Sequence, residues 1–181
     1  MYNAGGMWTS LIMIVLMLAI FVVPAVIIVY LVNKWINTKK QNQETQVKDK
    51  DIILSLANHS EIMSSLEAYC KGKDLKAGLI SGIGAVNSAT LRFFDPQTKQ
   101  YVDKTFSEQM EIANLTGNIS MLDGKVYLHL HVTLGRDDYS TIAGHLLSAT
   151  VNGACELSIR KIDKVLNRKF DPEIGLNVYD F

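Results

Sequence analysis

The hydrophobic residues follow several patterns along this chain, and the first is an unbroken apolar run near the N-terminus. The 22 residues from Leu11 to Val32 contain no charged side chain, and 16 of them are Leu, Ile, Val or Phe. A helix of this length measures about 33 Å, close to the hydrocarbon thickness of a bilayer. Trp8 lies near one end of the run and Tyr30 and Trp35 lie near the other, where aromatic side chains favour the two membrane interfaces. The pattern predicts one transmembrane helix, with residues 8–35 in contact with the membrane.

The charges around this run predict its orientation. No Lys or Arg precedes it, whereas Lys34, Lys39 and Lys40 follow it within a few residues. Because basic residues accumulate on the cytoplasmic side, we expect a single-pass protein of the cell (inner) membrane with its C-terminal part in the cytoplasm. A cleaved signal peptide is the alternative, but it would need a positive N-terminal region, a shorter apolar core and a small-residue cleavage site. None of these is present.

The pattern changes to that of a folded domain after residue 50. The residues before it, 37–50, are polar and lack apolar periodicity, which indicates a linker or a continuation of the preceding helix. Ile52 to Ala57 is predicted to form a strand, and Asn58 or Ser60 to cap a helix that ends at Gly72. Apolar side chains recur at helical spacing in this helix, at Ile62, Met63, Leu66, Tyr69 and Cys70. We therefore expect an anchor over residues 1–36, a linker over 37–50 and a domain over 51–181.

Short β-type runs separated by turn residues dominate the rest of the domain. Asp95-Pro96 and Asp123-Gly124 mark two of these turns. One helix followed by many strands predicts an α+β fold with a largely antiparallel sheet and one main helix. The predicted strands are Leu75–Ile83, Ser88–Asp95, Tyr101–Phe106, Met110–Ser120, Lys125–Leu134, Ser140–Val151 and Ala154–Asp163.

Charge and cysteine content narrow the possible functions. The whole chain is neutral, with 18 basic and 18 acidic residues, but after residue 41 there are 15 basic and 18 acidic residues, a net charge of −3. Non-specific affinity for DNA comes mainly from Lys and Arg neutralising phosphates, so this balance disfavours nucleic-acid binding. Cys70 and Cys155 lack the close spacing of metal-binding cysteines, and we expect both to be core thiols.

Three of the four histidines carry the strongest chemical signal. His129 and His131 are two residues apart in a predicted strand, so both project from one face while the apolar residues between them face the other way. A hairpin centred on Asp138 would place His145 directly opposite His131, although a register slip of one residue would turn His145 away. His59 lies near a helix start and is not expected to join them.

Three imidazoles that converge in this way are a common ligand set for zinc, with a fourth position left open. Iron, nickel or copper also accept nitrogen ligands. The alternative is that these histidines are polar strand residues on a solvated face or at a subunit contact. We therefore predict a divalent metal site at His129, His131 and His145, with zinc the most probable ion on ligand chemistry.

A glycine-containing segment, Ser81-Gly82-Ile83-Gly84-Ala85, follows a predicted strand and suggests a phosphate-binding loop at first sight. It lacks the third glycine and the Lys-Ser/Thr ending of such loops, and a strand is predicted to follow it. The competing interpretation is a tight turn where glycine allows two backbones to approach closely. No cofactor-binding or catalytic residue is predicted here.

Several motifs together resemble the PPC ("plants and prokaryotes conserved") domain family. They are the segments at residues 80–91, Leu115 to Ser120, Tyr127 to Thr133, Gly144 to Leu146 and Arg168 to Leu176. The resemblance implies an α+β fold with a largely antiparallel sheet and assembly as a homotrimer. It also implies a metal bound through the His-x-His and Gly-His motifs, which correspond to His129, His131 and His145.

The family carries a DNA-binding label, from which this sequence departs. Plant members grip the minor groove through an Arg-Gly-Arg-Pro type hook, and no such segment exists here. The sequence therefore favours a membrane-anchored, metal-binding, trimeric module with a regulatory or scaffolding role. A metal-dependent hydrolase and a DNA-binding protein are the alternatives. No residue near the histidines stands out as a general base, and Asp137 and Asp138 are expected in the hairpin turn.

Overall fold

A computed structural model describes residues 23–41, 43–48 and 51–181 of the chain. The chain divides into two compact units, residues 1–41 and 42–181. The helices are α1 (Val23–Gln41) and α2 (Ile62–Gly72). The strands are β1 (Gln43–Lys48), β2 (Asp51–Leu56), β3 (Gly78–Asp95), β4 (Gln100–Phe106), β5 (Met110–Leu122), β6 (Lys125–Gly135), β7 (Thr141–Lys161), β8 (Arg168–Asp171) and β9 (Leu176–Tyr179).

The first unit is described from α1 onward. Within the described residues, no helix combines the length and the apolar character needed to cross a membrane. The predicted span, Leu11 to Val32, is thus not supported by these residues, and its part up to residue 22 lies outside them. The reason is the sequence of α1, whose second half from Asn33 onward is polar.

The second unit is built on antiparallel strands that close on themselves. Seven strands form one sheet in the order β1-β2-β7-β6-β5-β3-β4, and β7 also pairs with β3. Strands β3, β5, β6 and β7 therefore form a closed ring of hydrogen-bonded neighbours. A second sheet consists of β8 and β9, and a bridge from Met121 to Asn167 joins this C-terminal hairpin to β5. The prediction of a largely antiparallel sheet with one main helix in this unit is confirmed.

The core lies between α2 and one face of the sheet. On α2, Ile62, Leu66 and Cys70 are buried at a spacing of four residues, and the alternate positions Ile52 and Leu54 of β2 are buried as well. The spacings of four and two residues are those of one helix face and one strand face. Apolar periodicity therefore locates both elements correctly.

The helix begins differently from the prediction. Its N-cap is Glu61, and neither Asn58 nor Ser60 has this role. The Glu61 carboxylate accepts hydrogen bonds from the backbone N–H groups of Met63 at 2.9 Å and Ser64 at 2.6 Å. It also accepts one from Ala149 in β7 at 3.2 Å, so a single side chain caps the helix and attaches it to the sheet. Glutamate is a less common cap than Asn or Ser, and the longer side chain is what reaches β7.

In two places, a pair of consecutive predicted strands forms one continuous strand in the structure. The prediction Leu75–Ile83, from Gly78 onward, and the prediction Ser88–Asp95 both fall in β3. The last two predicted strands both fall in β7, apart from their outermost residues. Register irregularities between Gly84 and Ser88 let β3 bend without ending. Bulges of this kind interrupt the apolar alternation, which makes one bent strand resemble two. The turn at Asp123-Gly124 is confirmed, and both of its residues have positive φ.

The segment predicted as a polar linker contains the end of α1 and then β1. Strand β1 pairs with β2 in antiparallel register, for example Gln43 with Ser55. Backbone hydrogen bonds to an available sheet edge define such a strand, and they require no apolar side-chain pattern. Periodicity alone could therefore not detect it.

We expect Glu61→Ala to destabilise the protein by about 1–3 kcal/mol, because three backbone N–H groups lose their acceptor. Glu67→Ala is the control, since Glu67 forms an exposed ion pair with Lys71 on the same helix and its loss costs about 0.5 kcal/mol or less. Denaturant unfolding of the full chain in mild detergent measures both variants. Equal stability of the two would show that the Glu61 cap does not join α2 to the sheet.

Candidate metal centre

The first two histidines of the trio project from one face of β6. His129 and His131 alternate with Leu128, Leu130 and Val132, which pack into or against the core. Leu130 is fully buried, whereas His131 is exposed and His129 half-buried. The predicted separation into an apolar face and an imidazole face is confirmed.

The third histidine arrives through the β6–β7 hairpin. His131 pairs directly with His145, so the predicted register is confirmed. The turn fixes this register, because the backbone N–H of Arg136 donates to the carbonyl of Ser140 at 2.9 Å. The Asp138 carboxylate accepts from the backbone N–H of Ser140 at 2.8 Å. Asp137 and Asp138 lie in this turn, as predicted, with both side chains exposed.

The three imidazoles face one another closely. The ring centroids are 5.3 Å apart for His129 and His131, 5.1 Å for His129 and His145, and 5.4 Å for His131 and His145. One nitrogen from each ring can be chosen so that all lie within 4.8 Å of one another. Nitrogens bound at about 2.0–2.1 Å to one tetrahedral ion lie roughly 3.4 Å apart. Small ring rotations would therefore bring the three together on an ion, and the donor set fits zinc.

A glycine in β5 shapes the strand beneath the triad. Gly117 pairs with Leu130, and a β-carbon at this position would collide with the carbonyl oxygen of His129 and lie 2.8 Å from the α-carbon of Leu130. Only glycine permits β5 to run this close to the backbone between the two β6 histidines.

Burial keeps two of the imidazoles neutral. It lowers the pKa of His145 to about 4, with the other two histidines adding to the effect. Burial also lowers the pKa of His129, to which the positive charge of Arg168 contributes. Neutral imidazole is the form that binds a metal. At neutral pH these two side chains are therefore in the ligating state, and exposed His131 leaves one side of the site open to solvent.

Two arginines lie beside the triad, and neither was predicted from the sequence as a site residue. Arg92 in β3 is the direct partner of His145 across the β3–β7 pair. Its guanidinium donates two hydrogen bonds of 2.7 Å to Asp103, which holds the pKa of that carboxyl below its usual range. Arg168, the first residue of β8, lies near His129, and its positive charge contributes to the lowered pKa of that histidine. The pairing of β3 with β7 is long-range, so no local pattern could have revealed Arg92.

The remaining predicted features lie away from the triad. Ser81 to Ala85 is the middle of β3 rather than a loop or turn. A β-carbon on Gly82 would lie 2.7 Å from the carbonyl oxygen of Glu156, so glycine allows the close backbone approach that was predicted. Cys70 and Cys155 are buried, and burial raises their pKa to about 12 and about 11, as expected of core thiols. His59 is exposed and stands outside the triad.

Comparison with solved structures shows relatives that cover most of this chain. A proposed DNA-binding protein from Bacteroides thetaiotaomicron is 52% identical with a TM-score of 0.75, and the match covers 78% of this chain and 98% of that one. A metal-containing protein from Archaeoglobus fulgidus is 34% identical with a TM-score of 0.69, over 76% and 100% of the two chains. A proposed DNA-binding protein from Ralstonia eutropha is 30% identical with a TM-score of 0.72, over 80% and 99%.

No curated protein matches the sequence. The sequence model of the Plants and Prokaryotes Conserved (PCC) domain matches residues 43–163, which is more than half of the chain and includes the three histidines. Together with the 52% identical relative, this match shows that the chain belongs to the PCC, or PPC, domain family.

Proposed function

We propose that this PCC domain binds one divalent metal ion per chain through His129, His131 and His145, and that the loaded domain acts as a binding or scaffolding module. The observation that carries the proposal is the convergence of three imidazole nitrogens within 4.8 Å on an outward sheet face. The related protein from Archaeoglobus fulgidus is described as metal-containing, which supports it. Zinc suits three neutral imidazoles with an open fourth position best.

The full chain is expected to hold about one zinc ion, and His131→Ala to weaken zinc binding by at least roughly a hundredfold. Loss of a residue that only hydrogen-bonds to a metal ligand already lowers metal affinity 10- to 100-fold, and loss of a ligand lowers it more. The matched control is His59→Asn, because His59 is exposed, lies outside the triad and has a φ of 65° that Asn tolerates. Elemental analysis and competition with a chromogenic chelator measure stoichiometry and affinity. Wild-type affinity in His131→Ala would exclude the triad as the site.

We also propose that the domain assembles as a homotrimer, as the family resemblance implies. Support comes from a sheet face that carries exposed apolar side chains on β2 and β3, the two strands that pair with β7 here: Ile53, Leu79 and Ile83. Shallow cavities line this face, and Asp51 and Arg160 form an ion pair at its edge. Exposed apolar side chains grouped on one face of a folded domain, with polar residues among them, are typical of an interface.

Ile83→Glu is expected to convert trimers into monomers, because it would place a charge in the proposed interface. The control is Phe93→Glu, an exposed apolar residue near the far end of the same strand. Light scattering of residues 42–181 gives the mass, and this fragment corresponds to nearly the whole length of the solved relatives. A wild-type fragment that is monomeric would contradict the trimer, and an Ile83→Glu trimer would exclude this face.

The third part of the proposal is that residues 8–35 anchor the domain in the cell (inner) membrane, with the domain in the cytoplasm. The uncharged run from Leu11 to Val32 and the three lysines after it support this arrangement. Within α1, every residue from Val26 to Val32 is a large apolar side chain that is about half exposed or more. Water is an unfavourable environment for such a surface.

The full chain is expected to remain in the membrane fraction after alkaline carbonate extraction, and a chain lacking residues 1–41 to be found in the supernatant. A green fluorescent protein fused to the C-terminus reports the orientation, because it fluoresces when it folds in the cytoplasm. Extraction of the full chain by carbonate would contradict the anchor, and a membrane-bound but dark fusion would contradict the orientation.

The two alternative functions have weaker support. A hydrolase needs a general base near the metal-bound water, yet Asp103, whose charge acts on His145, is already held by Arg92 through two hydrogen bonds. DNA binding would have to overcome the net charge of −3 after residue 41. Two relatives are described as proposed DNA-binding proteins, but that description does not change the negative net charge of this chain after residue 41.

A further inference from the structure

Arg168 occupies an unusual electrostatic position beside the triad. Its Nη2 donates to Asn118 at 2.9 Å, and Asn118 is the direct partner of His129 in the β5–β6 pair. Its guanidinium carbon lies 5.1 Å from the ring centre of Tyr127, which precedes His129 by two residues and so projects from the same face of β6. The guanidinium therefore lies at the His129 end of the imidazole cluster.

Neutral groups alone hold this guanidinium within the described part of the chain. Besides Asn118, the acceptors are Ser120 Oγ at 2.8 Å and the carbonyl oxygen of Asn177 at 2.7 Å. Tyr127 and Tyr179 contact it through their rings, Tyr179 at 4.3 Å. None of these groups is anionic, so the half-buried positive charge of Arg168 is not compensated. Arg92 differs, because Asp103 neutralises it.

The hydrogen bonds also orient the guanidinium and leave part of it unused. A guanidinium has five N–H donors, two on each terminal nitrogen and one on Nε. The three bonds engage Nε and one N–H of each terminal nitrogen. Among the described residues, one N–H on each of the two terminal nitrogens has no acceptor. Guanidinium N–H groups are the preferred protein donors to the oxygens of a carboxylate or phosphate.

A bound metal would make the same region more positive. Three neutral imidazoles contribute no negative charge, so a divalent ion would keep its full charge of +2 next to Arg168. A charge in a partly buried site is costly unless a counter-charge accompanies it. The open coordination position and the two remaining N–H groups of Arg168 both favour the same type of ligand atom, an anionic oxygen.

We propose that Arg168 and the metal centre together form a binding site for a small oxyanion, a carboxylate or phosphate group with one end directed to the metal and the other to Arg168. The proposal rests on the metal site of the proposed function and adds the chemical class of its ligand. It gives Arg168 a role in ligand binding in addition to its attachment of the C-terminal hairpin to β5.

The test uses the full chain in mild detergent, loaded with Co²⁺, whose visible absorption responds to a change of ligands. Titration with inorganic phosphate and with succinate is expected to shift the absorption bands, and methylammonium to leave them unchanged. In Arg168→Gln the dissociation constant for the oxyanion is expected to rise about 10- to 100-fold, as for loss of a charge-assisted hydrogen-bonded pair. Without oxyanion, its cobalt spectrum should equal that of the wild type.

Lys169→Gln is the matched control, because Lys169 is the adjacent cation, is exposed and pairs with Asp180 at 2.8 Å. It should bind oxyanions as the wild type does. Arg168→Lys provides a second variant if Arg168→Gln fails to fold, since it keeps the charge and loses the two-donor geometry. Its affinity is expected to fall several-fold.

The outcomes separate the two proposals. If neither phosphate nor succinate changes the absorption of the cobalt-loaded wild type, the oxyanion proposal is wrong and the metal-site proposal stands. Unchanged affinity in folded Arg168→Gln or Arg168→Lys would overturn the oxyanion proposal as well. If the wild type takes up no cobalt, the proposal of a metal site is wrong. Calorimetry of the metal-free chain with phosphate then tests the oxyanion site separately. Binding that depends on Arg168 would then support the oxyanion site, and no binding would overturn it.

Discussion

The register of one β-hairpin is the constraint on which the candidate site depends. Strands β6 and β7 pair so that His131 lies directly opposite His145, and His129 projects from the same face as His131. A shift of one residue in this pairing would turn His145 into the core and disperse the cluster. The turn that joins the strands, held by Asp138 and by the bond between Arg136 and Ser140, therefore determines whether three imidazoles meet.

The closed arrangement of strands fixes this register from both sides. Strand β7 is paired with β3 from His145 to Lys161, while β6 is paired with β5, so neither strand can slide independently of the ring. The close approach of β5 at Gly117 and the cap from Glu61 to β7 tie the same strands to their neighbours. The fold also brings two arginines to the histidines, Arg92 from β3 of the ring and Arg168 from the C-terminal hairpin, although 76 positions separate them in the sequence.

Much of the fold and the centre of the site could be predicted from the sequence because their signals are local. The alternation of apolar residues and histidines predicted the two faces of β6. The equal distance of His131 and His145 from Asp138 in the sequence predicted that the two histidines pair. The arginines beside the triad could not be predicted in this way, because long-range strand pairing and the C-terminal hairpin position them. Strand β1 and the cap at Glu61 were missed since backbone pairing and a long side chain, rather than apolar periodicity, define them.

The most direct test of the metal centre is X-ray absorption spectroscopy at the edge of the metal that co-purifies with the full chain. We expect about three imidazole nitrogens at roughly 2.0–2.1 Å, with the multiple-scattering pattern of histidine rings and one further light atom. Sulfur ligands at about 2.3 Å, or a shell without imidazole scattering, would contradict it.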